Sequence, residues 1–416
     1  MFEKAICCRI CGNTNLRPIL DLGDQALTGR FPHSQTEHVE KMPLQLVLCQ
    51  GHENEQVCGL VQLMHTGDLN KLYGAEYGYR SGLNTSMVRH LENKVQKILT
   101  YVDLKKEDLV IDIGSNDGTL LKSYPTKSAT LVGIDPSGKN FQSFYPSHVQ
   151  LIPEFFSANT IRQNFPNQKA MIVTSISMFY DLEQPLKFAE QISETLDDKG
   201  IWITEQSYLP SMLEMNSYDT ICHEHLEYYG LKQIKWIADG AGLKIIDVEF
   251  NKINGGSFSV ALAKSNSEIK SNEGIINAIL NQESVQGLSS LTPYEQFKRR
   301  VFAHREQLLS FFEQLRNENK KIFGYGASTK GNVLLQFCNL SEKDLPFIAE
   351  VNQDKFGCFT PGTLIPIVSE VEAKRMNPDY FFVLPWHFRE NIISREKEYL
   401  RSGGRLVFPL PSLEVV

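Results

Sequence analysis

Short apolar runs separated by polar and helical patterns recur through the middle of the chain. The runs at 108–113, 129–134, 170–175 and 200–205 are rich in β-branched residues and too short to be helices. A helical pattern covers about 187–196, between the last two runs. Strands that alternate with helices are typical of a doubly wound parallel sheet, so the pattern predicts an α/β fold here.

The last third of the chain shows a second pattern of the same kind. Polar, helix-forming sequence at about 266–320 leads into a glycine turn at 324–326, and short apolar runs follow at about 346–351, 380–384 and 404–409. These runs predict half of another Rossmann-type sheet. A chain of 416 residues is too long for one core, so we expect two or three domains.

Composition and charge narrow the classes of function. Hydrophobic residues make up 42% of the chain, and 49 acidic against 42 basic residues give a net charge of −7. No stripe of Lys and Arg is available to neutralise phosphates, so no nucleic-acid partner is expected. No apolar run approaches the ~20 residues of a membrane span, and the first residues lack a signal-peptide core. We therefore expect a cytoplasmic protein with no membrane partner.

Five of the eight cysteines lie within the first 58 residues. Cys8 and Cys11 form a CxxC pair, which in a reducing compartment indicates zinc or redox chemistry rather than a structural disulfide. Cys49 and Cys58 can complete a set of four ligands, although His52 also lies at ligand spacing from Cys49. The sequence predicts a structural zinc site with no open coordination position, and buried free cysteines are the alternative.

A glycine turn follows the first apolar run of the middle region. Asp135, which ends the next run, lies 21 residues after Gly114 and can accept two ribose hydroxyls. A dinucleotide site needs glycines at 116 and 119, where this chain has Asn and Thr, so no pyrophosphate is expected. The ammonium and sulfonium of S-adenosylmethionine instead suit acidic neighbours. The predicted cofactor residues are Asp112, Gly114, Asn116, Asp117, Gly118 and Asp135, with Ser177 and Met178 after the third run. A generic strand, turn and helix is the alternative.

The densest group of polar side chains lies at 218–229. This segment contains two imidazoles, three carboxylates and three phenols. A histidine flanked by such groups can be held in one tautomer and serve as a base, so the segment predicts a proton-transfer site. His223 and His225 are two residues apart and would not share a helix face, and the HExxH pattern is absent, which disfavours zinc-dependent hydrolysis. A polar helix start is the alternative.

The glycine turn in the last third is a candidate anion site. Gly324 and Gly326 allow backbone amides to face an anion, while Ser328, Thr329 and Lys330 add donors at the start of a helix. Thr329 stands where a dinucleotide site has glycine, and the turn lacks the GKS/T ending of a nucleoside-triphosphate loop. The turn therefore predicts a phosphate or nucleotide site without specifying its type.

Together, these motifs resemble the S-adenosylmethionine-dependent sugar-nucleotide C-methyltransferases that build branched deoxysugars. The motifs are Cys8–Gly12 with Cys49 and Cys58–Leu63, Asp112–Gly118, Asp219–His225 and Gly324–Asn332, and the resemblance covers nearly the whole chain. It implies a zinc-binding domain at 1–75 and a Rossmann-like class I methyltransferase domain at 76–265. It also implies a C-terminal Rossmann-like domain at 266–416, with a nucleotide-sugar bound in the cleft between the last two domains.

The resemblance also implies roles for individual residues. Such enzymes methylate a carbon next to a 4-keto group, with His225 implied as the base and Glu224 and Tyr77 near the sugar. Cys222 stands where some relatives have a tyrosine, so Tyr180 or His223 becomes the donor that steadies the enolate. The residues implied on the substrate side are Tyr77, Cys222, Ser328, Thr329, Lys330 and Asn332.

We therefore expect a methyltransferase that acts on a 4-keto-deoxysugar linked to dTDP or another nucleoside diphosphate. A sugar carbon is a poor nucleophile until the proton beside the ketone is removed, so the chemistry needs a base and a donor to the enolate oxygen. Two other functions stay open. One is an O- or N-methyltransferase in which His225 deprotonates the acceptor, and the other is a non-catalytic regulator that binds zinc and a nucleotide.

Overall fold

The computed structural model describes residues 2–51, 56–68, 80–125 and 129–416. Two residues singled out from the sequence, the alternative zinc ligand His52 and the substrate-side Tyr77, lie outside these ranges. Within the described ranges the strands form three large sheets and one two-stranded sheet, joined by helices. The predicted α/β fold class is confirmed.

The N-terminal sheet is antiparallel and includes a strand from the middle of the chain. In spatial order its strands are β11 (Glu227–Tyr228), β4 (Val61–Leu63), β3 (Lys41–Cys49) and β2 (Leu16–Ala26). A separate pair consists of β1 (Glu3–Lys4) and β5 (His65–Thr66). In β3, Leu44, Leu46 and Leu48 are buried at the two-residue period of a strand that covers a core. Because β11 belongs to segment 218–229, that segment is joined to the N-terminal sheet.

The middle sheet has seven strands. Their bounds are β6 Leu109–Ile113, β7 Thr130–Ile134, β8 Val149–Ile152, β9 Ala170–Ile176, β10 Leu196–Ser207, β12 Leu243–Asn251 and β13 Ser257–Lys264. The spatial order is β12–β13–β10–β9–β6–β7–β8, with β13 antiparallel to both of its neighbours and the other pairs parallel. The strand order reverses at β6, so the glycine turn after β6 opens at a topological switch point.

Helices and single 3-10 turns connect these strands. The helices are α1 Thr85–Ile98, α2 Thr119–Lys122, α3 Gly138–Phe141, α4 Ala158–Asn164, α5 Pro185–Thr195, α6 Leu209–Glu214 and α7 Leu231–Gly240. Leu91, Val95 and Ile98 are buried on one face of α1, at the spacing of an amphipathic helix. Segment 218–229 is not a helix start. It contains the 3-10 turn Tyr218–Thr220 followed by β11.

The C-terminal sheet has six strands. In spatial order they are β16 Ile367–Ser369, β15 Ile348–Glu350, β14 Ile322–Tyr325, β17 Tyr380–Val383, β18 Arg405–Phe408 and β19 Glu414–Val415, and only β19 is antiparallel to its neighbour. The helices of this region are α8 Glu273–Val285, α9 Thr292–Asn317, α10 Thr329–Phe337, α11 Glu370–Arg375, α12 Arg389–Arg395 and α13 Lys397–Arg401. The glycine turn at 324–326 leads from β14 into α10, as the sequence predicted.

The apolar cores run across the boundaries between the sheets. One core contains Leu46 of the N-terminal sheet, Leu226 of the histidine segment and Val383 of the C-terminal sheet. A second core joins Cys58 to Trp202 of the middle sheet. Segment 218–229 therefore lies where the three sheets meet.

Across the described part of the chain, the search for a helix both long and apolar enough to span a membrane found none.

Candidate active site

Four cysteines of the N-terminal region converge on one point. The Sγ atoms of Cys8, Cys11, Cys49 and Cys58 all lie within 4.8 Å of one another. The closest pairs are Cys8 with Cys58 at 3.4 Å and Cys11 with Cys49 at 3.5 Å. Thiolates bound tetrahedrally at a Zn–S distance of about 2.3 Å would lie about 3.8 Å apart, so the cluster fits zinc. Four protein ligands would leave no open position, which makes the ion structural.

Backbone bonds shape this cluster and fasten it to the middle domain. Gly12 has a φ of 72°, and its N–H donates to the carbonyl of Cys8 at 3.0 Å. The N–H of Cys8 donates to the carbonyl of Asn13 at 2.8 Å, which completes a tight knuckle. From α7, the side-chain amide of Gln233 donates to the carbonyl of Cys58 at 2.8 Å. The zinc module is therefore bonded directly to a helix of the middle domain.

The turn after β6 is closed by Asp135. The carboxylate of Asp135 accepts the backbone N–H of Asn116 at 2.8 Å and the backbone N–H of Ser137 at 2.7 Å. Asn116 and Gly118 have left-handed φ angles of 51° and 71°, and a Cβ at position 118 would lie 3.1 Å from the ring of Tyr145. The turn thus has a fixed shape at the carboxyl edge of the sheet, where doubly wound folds bind nucleoside cofactors.

The ends of β6 and β9 meet at this edge. Gly114 has a φ of 72°, and a Cβ at this position would lie 3.0 Å from Cγ of Met178. Ser177 is also left-handed, with a φ of 56°, and its N–H donates to the carbonyl of Glu205 at 2.7 Å. The structure therefore brings together the predicted cofactor residues of both strand ends.

The carboxylates of two predicted cofactor-binding residues accept hydrogen bonds from other groups of the protein. Asp112 is buried and accepts the hydroxyl of Thr174 at 2.6 Å, and burial raises the pKa of Asp112 to about 7. Asp117 accepts the backbone N–H of Gly82 at 3.0 Å and that of Thr119 at 3.2 Å. Asp117 therefore holds the loop before α1 and the start of α2.

His225 is held in one tautomer by the backbone. Its Nδ1 lies 2.9 Å from the carbonyl oxygen of Thr220, and only a protonated nitrogen can donate to that oxygen, so Nε2 is the unprotonated nitrogen. The ring of Tyr180 stands edge-on, with 4.3 Å between the ring centroids. Burial, and secondarily the positive charge of Lys330, lowers the pKa of His225 to about 3. The imidazole is therefore neutral at neutral pH.

A small cavity lies beside this imidazole. Its lining residues are Tyr180, Ser207, Leu209, Met212, Thr220, His225, Glu227 and Tyr228. The wall combines apolar surface with a small number of converging polar groups, which is the usual composition of a small-molecule site.

Glu224 and Cys222 lie against the loop that follows β2. The hydroxyl of Thr28 donates to Oε2 of Glu224 at 3.4 Å, and a Cβ at Gly29 would lie 2.5 Å from Oε1, so this loop packs directly on the carboxylate. Burial raises the pKa of both Glu224 and Cys222. The residue that replaces a tyrosine at position 222 is thus a protonated thiol, which is a weak hydrogen-bond donor.

His223 is bonded to the N-terminal sheet. Its Nε2 donates to the carbonyl of Met42 in β3 at 3.1 Å, its side chain is fully buried, and burial lowers its pKa to about 4. His223 does not line the cavity beside His225. Of the two residues predicted from the sequence as enolate donors, Tyr180 is the one that lies next to His225.

The C-terminal domain brings a cation to the same region. Nζ of Lys330 donates to the carbonyl of Asn254 at 3.0 Å, and the charge of Lys330 acts on both His225 and Asp219. Asp219 in turn accepts the indole N–H of Trp386 at 2.7 Å. The histidine segment is therefore bonded to the C-terminal domain as well as to the N-terminal sheet.

The other predicted anion-site residues take structural positions. Ser328 precedes α10, and its hydroxyl oxygen accepts the N–H of Gly331 at 3.0 Å. Asn332 is fully buried and donates to the carbonyl of Thr28 at 2.7 Å. Thr329 begins α10. Lys330 is therefore the predicted substrate-side residue of this turn whose charge acts on His225.

Sequence reasoning missed several residues of the site. Glu227 lines the cavity, and its Oε1 lies 3.7 Å from Nε of Arg9, whose position in the zinc knuckle gave no sign of this contact. Trp386 contacts Asp219, and burial, with the charge of Lys330, lowers the pKa of the neighbouring His387. A signal for Trp386 and His387 did exist, because they follow the carboxyl end of a predicted parallel strand, where ligands bind.

Comparison with known proteins decides the class of the protein. Three domain families match the chain: a C-methyltransferase C-terminal domain at residues 252–411, a methyltransferase domain at 85–248 and a zinc binding domain at 8–73. C-methyltransferase NovU from Streptomyces niveus is 28% identical over 412 residues, which cover 98% of this chain and 96% of that protein. The matched domains and this relative support an S-adenosylmethionine-dependent C-methyltransferase. The cofactors of this C-methyltransferase are S-adenosylmethionine and zinc, and the four clustered cysteines lie within the matched zinc binding domain.

Solved structures align with the C-methyltransferase over less than half of its length. An S-adenosylmethionine-dependent methyltransferase from Clostridium acetobutylicum is 11% identical, with a TM-score of 0.33, and the alignment covers 42% of this chain and 92% of that one. LepI in complex with S-adenosylmethionine is 15% identical, with a TM-score of 0.35, covering 44% of this chain and 54% of the other.

Proposed function

We propose that this C-methyltransferase methylates a ring carbon next to the 4-keto group of a nucleotide-linked 4-keto-deoxysugar, with dTDP or another nucleoside diphosphate as the carrier. The observation that carries the proposal is the state of His225. Its Nδ1–H is bonded to the carbonyl of Thr220, which leaves an unprotonated Nε2 beside the cavity. A neutral imidazole whose unprotonated nitrogen is within reach of the reacting carbon is what proton abstraction requires.

In the proposed reaction, Nε2 of His225 takes the proton from the carbon next to the ketone, and the bonding electrons pass to the ketone oxygen to give an enolate. The enolate carbon then attacks the methyl carbon of S-adenosylmethionine. A carbon–carbon bond forms, the carbon–sulfur bond breaks, and the ketone and S-adenosylhomocysteine result. The imidazolium returns its proton to solvent.

The enolate needs a donor or a positive charge near its oxygen. We assign the donor role to the phenol of Tyr180, which lies against the ring of His225 in the same cavity. Lys330 adds a positive charge that acts on His225. A developing oxyanion in a buried site is stabilised strongly by such fixed groups, because little solvent screens them.

The remaining site residues are assigned by position. Asp135, with the turn at 114–118, would hold the methyl donor, assisted by Asp112, Ser177 and Met178. The nucleotide-sugar would lie between the domains at 76–265 and 266–416, with Glu224 on the sugar. Tyr77 keeps its proposed place near the sugar, although it lies outside the described residues.

A deuterium-exchange assay tests the base separately from methyl transfer. With a 4-keto nucleotide-sugar in deuterated water and no methyl donor, the wild-type enzyme should exchange the proton next to the ketone, and His225→Ala should not. Methylation should fall at least about 100-fold in His225→Ala, which is the low end for loss of a general base, while S-adenosylmethionine still binds. A near wild-type rate in this variant would remove His225 from the mechanism. A product with its methyl group on oxygen would indicate an O-methyltransferase instead.

A further inference from the structure

Arg80 is a part-buried cation beside the glycine turn at 114–118, and the proposed reaction gives it no role. It lies directly before the 3-10 turn Ser81–Leu83, which leads into α1. Its Nε lies 3.6 Å from Oδ2 of Asp117, and its guanidinium carbon lies 4.1 Å from the centre of the Phe144 ring. A carboxylate and an aromatic face therefore hold the guanidinium in place next to the turn.

The backbone that carries Arg80 is bonded to the same turn. The N–H of Ser81 donates to Oδ1 of Asn116, and the N–H of Gly82 donates to Oδ2 of Asp117, each at 3.0 Å. A Cβ at Gly82 would lie 2.5 Å from that Oδ2, so a larger residue would push the carboxylate away. The loop that presents Arg80 is thus attached to two of the predicted cofactor residues.

Helix α1 attaches this loop to the neighbouring strand end as well. Nε2 of His90 and Nζ of Lys94 lie 2.5 Å and 2.8 Å from carboxylate oxygens of Glu205 in β10. The carbonyl of Glu205 in turn accepts the N–H of Ser177. The position of Arg80 is therefore fixed relative to both strand ends of the proposed cofactor site.

The hydrogen-bonding capacity of Arg80 is unused. Its Nε is buried without a hydrogen-bond partner, and its two terminal nitrogens donate no hydrogen bond to any described residue. The side chain is 28% exposed, so the terminal nitrogens are open to solvent. By contrast, Arg9, Arg300 and Arg305 all donate to backbone carbonyls. Arg80 presents a pre-oriented fork of charged donors that a ligand can use.

The charges at the turn indicate which group of the cofactor this fork suits. Asp117 and Asp135 are buried acids of the proposed site, and they favour the ammonium and the sulfonium of S-adenosylmethionine. The carboxylate of the same cofactor would be repelled by these acids unless a cation lay beside them. Lys122 also lies at this turn, but its Nζ donates to the carbonyl of Asp117 at 2.9 Å and its side chain is exposed. The cation with unused donors is Arg80.

We infer that Arg80 binds the carboxylate of S-adenosylmethionine and selects for the amino-acid end of the cofactor. The inference rests on the proposed cofactor site at 114–118 and does not depend on which molecule is methylated. A guanidinium and a carboxylate match in shape and charge and can form two parallel N–H···O bonds. Asp117 also accepts the N–H groups of Gly82 and Thr119, so it can stay in place and keep Arg80 oriented.

Two ligands that differ by one group isolate this contact. S-adenosylhomocysteine carries the carboxylate, and its decarboxylated analogue has a hydrogen atom in that place. Calorimetric titration of the zinc-loaded enzyme should show a preference of at least about 10-fold for S-adenosylhomocysteine. This is the low end for hydrogen bonds to charged groups, because the Arg80 side chain is partly exposed. The preference should approach unity in Arg80→Met and be intermediate in Arg80→Lys, which keeps the charge but loses the fork.

Two other cations serve as controls. Arg89→Met changes an exposed arginine of α1, and Lys122→Met changes the exposed lysine of the turn. Both variants should keep the full preference. The affinity for the decarboxylated analogue, measured in each variant, shows whether the rest of the cofactor site is intact. If Arg80→Met does not fold, the smaller preference expected of Arg80→Lys still tests the contact.

Equal affinity of the wild-type enzyme for the two ligands would overturn the inference. An unchanged preference in both Arg80 variants, or a preference lost in Lys122→Met instead, would also overturn it. None of these outcomes affects the proposed function, because they concern only the methyl donor. Failure to methylate or to exchange deuterium with every 4-keto sugar would overturn the proposed function and leave the measured preference as it stands.

Discussion

At the scale of single residues, the tautomer of His225 is set by an uncharged group. Its Nδ1–H donates to the carbonyl of Thr220, whereas many catalytic histidines donate to a carboxylate. A carbonyl orients the ring but raises its pKa less than a negative charge would. The imidazole is therefore unprotonated at neutral pH but weakly basic, so in the proposed reaction proton removal depends on stabilising the enolate at the same time.

Removal of the charge at position 330 should raise the pKa of His225. Burial is the larger cause of the low value and Lys330 the second, so in Lys330→Met the pKa should rise from about 3 and remain below the usual 6.5. NMR titration of the imidazole, together with the acid limb of the deuterium-exchange rate, measures the change. Lys343→Met alters an exposed lysine of the same domain and should leave the pKa where it is. If Lys330→Met also leaves it unchanged, burial alone sets the pKa.

His223 should make the protein less stable in acid. Its pKa in the folded state is about 4, below its usual value of 6.5, so the unfolded state takes up the proton first as the pH falls. The contribution of neutral His223 to the free energy of unfolding is complete above pH 6.5 and is lost as the pH falls toward 4. At pH 4.5 the loss is about 2 to 3 kcal/mol. His223→Asn keeps a donor for the Met42 carbonyl and should show a smaller fall in unfolding free energy between pH 7.5 and pH 4.5 than the wild type. If denaturant titrations show the same fall in unfolding free energy for the wild type and His223→Asn, the prediction is wrong.

At the scale of elements, the two glycine turns are closed in the same way. In the middle domain the N–H of Asn116 donates to Asp135, and in the C-terminal domain the N–H of Ala327 donates to Glu350 at 2.7 Å. Each carboxylate lies at the end of the next strand of its sheet. In the second turn, the N–H of Gly326 is also bonded, to the carbonyl of Ala349 at 2.7 Å. The N–H of Gly324 donates to the carbonyl of Phe347 at 2.9 Å, so the amides of both glycines that the sequence directed toward an anion are already bonded inside the domain.

Asp135→Ala should weaken binding of S-adenosylmethionine. The variant loses the proposed ribose acceptor and the closure of the turn through Asn116, and an unpaired buried group costs about 1 to 3 kcal/mol, which is about 5- to 150-fold in affinity. Calorimetric titration measures the change. Glu350→Ala removes the matching closure in the other domain and should leave the affinity unchanged. Similar losses in both variants would indicate general destabilisation, and full affinity in Asp135→Ala would exclude it from the cofactor site.

The elements that the sequence predicted well are those that depend on local pattern. The parallel strands at the centres of both Rossmann-like sheets are continuous apolar runs, so β6, β9 and β17 were found close to their observed bounds. β11 has two residues, and its partner β4 lies more than 160 residues earlier in the chain. Neither its length nor its pairing leaves a periodic signal, so the sequence did not reveal it.

The residues of the candidate site also divide into those found from local motifs and those found only from the tertiary structure. The cysteine cluster and His225 were identifiable because their chemistry is concentrated in short motifs. The bond from His223 to Met42 and the contact between Glu227 and Arg9 both depend on how the histidine segment joins the N-terminal sheet. These contacts required the tertiary structure.

At the scale of the whole molecule, three domains hold one catalytic segment. The N-terminal sheet pairs with it through β11, where Tyr228 lies opposite Val61. The middle domain bonds it through the carbonyl of Tyr180, which accepts the N–H of Leu226 at 2.8 Å. The C-terminal domain bonds it through Trp386 and Asp219. The position of His225, the proposed base, therefore depends on all three domains, including the zinc module, which contributes no reacting group to the proposed reaction.

Zinc removal should loosen the catalytic segment before it loosens the middle sheet. Cys49, a member of the cysteine cluster, ends β3, β3 pairs with β4, and β4 pairs with β11. Without the ion, the four thiols lose their common partner, so in chelator-treated enzyme or in Cys11→Ser the amides of β4 and β11 should exchange with deuterated water faster. The buried strands β6 and β9 should stay protected, and S-adenosylmethionine should still bind, because neither strand contacts the knuckle through a hydrogen-bonded pair. Cys338→Ser changes a buried thiol outside the cluster and should retain both zinc and protection. If β11 keeps its protection in zinc-free enzyme, the stability of the zinc module does not extend to the active site.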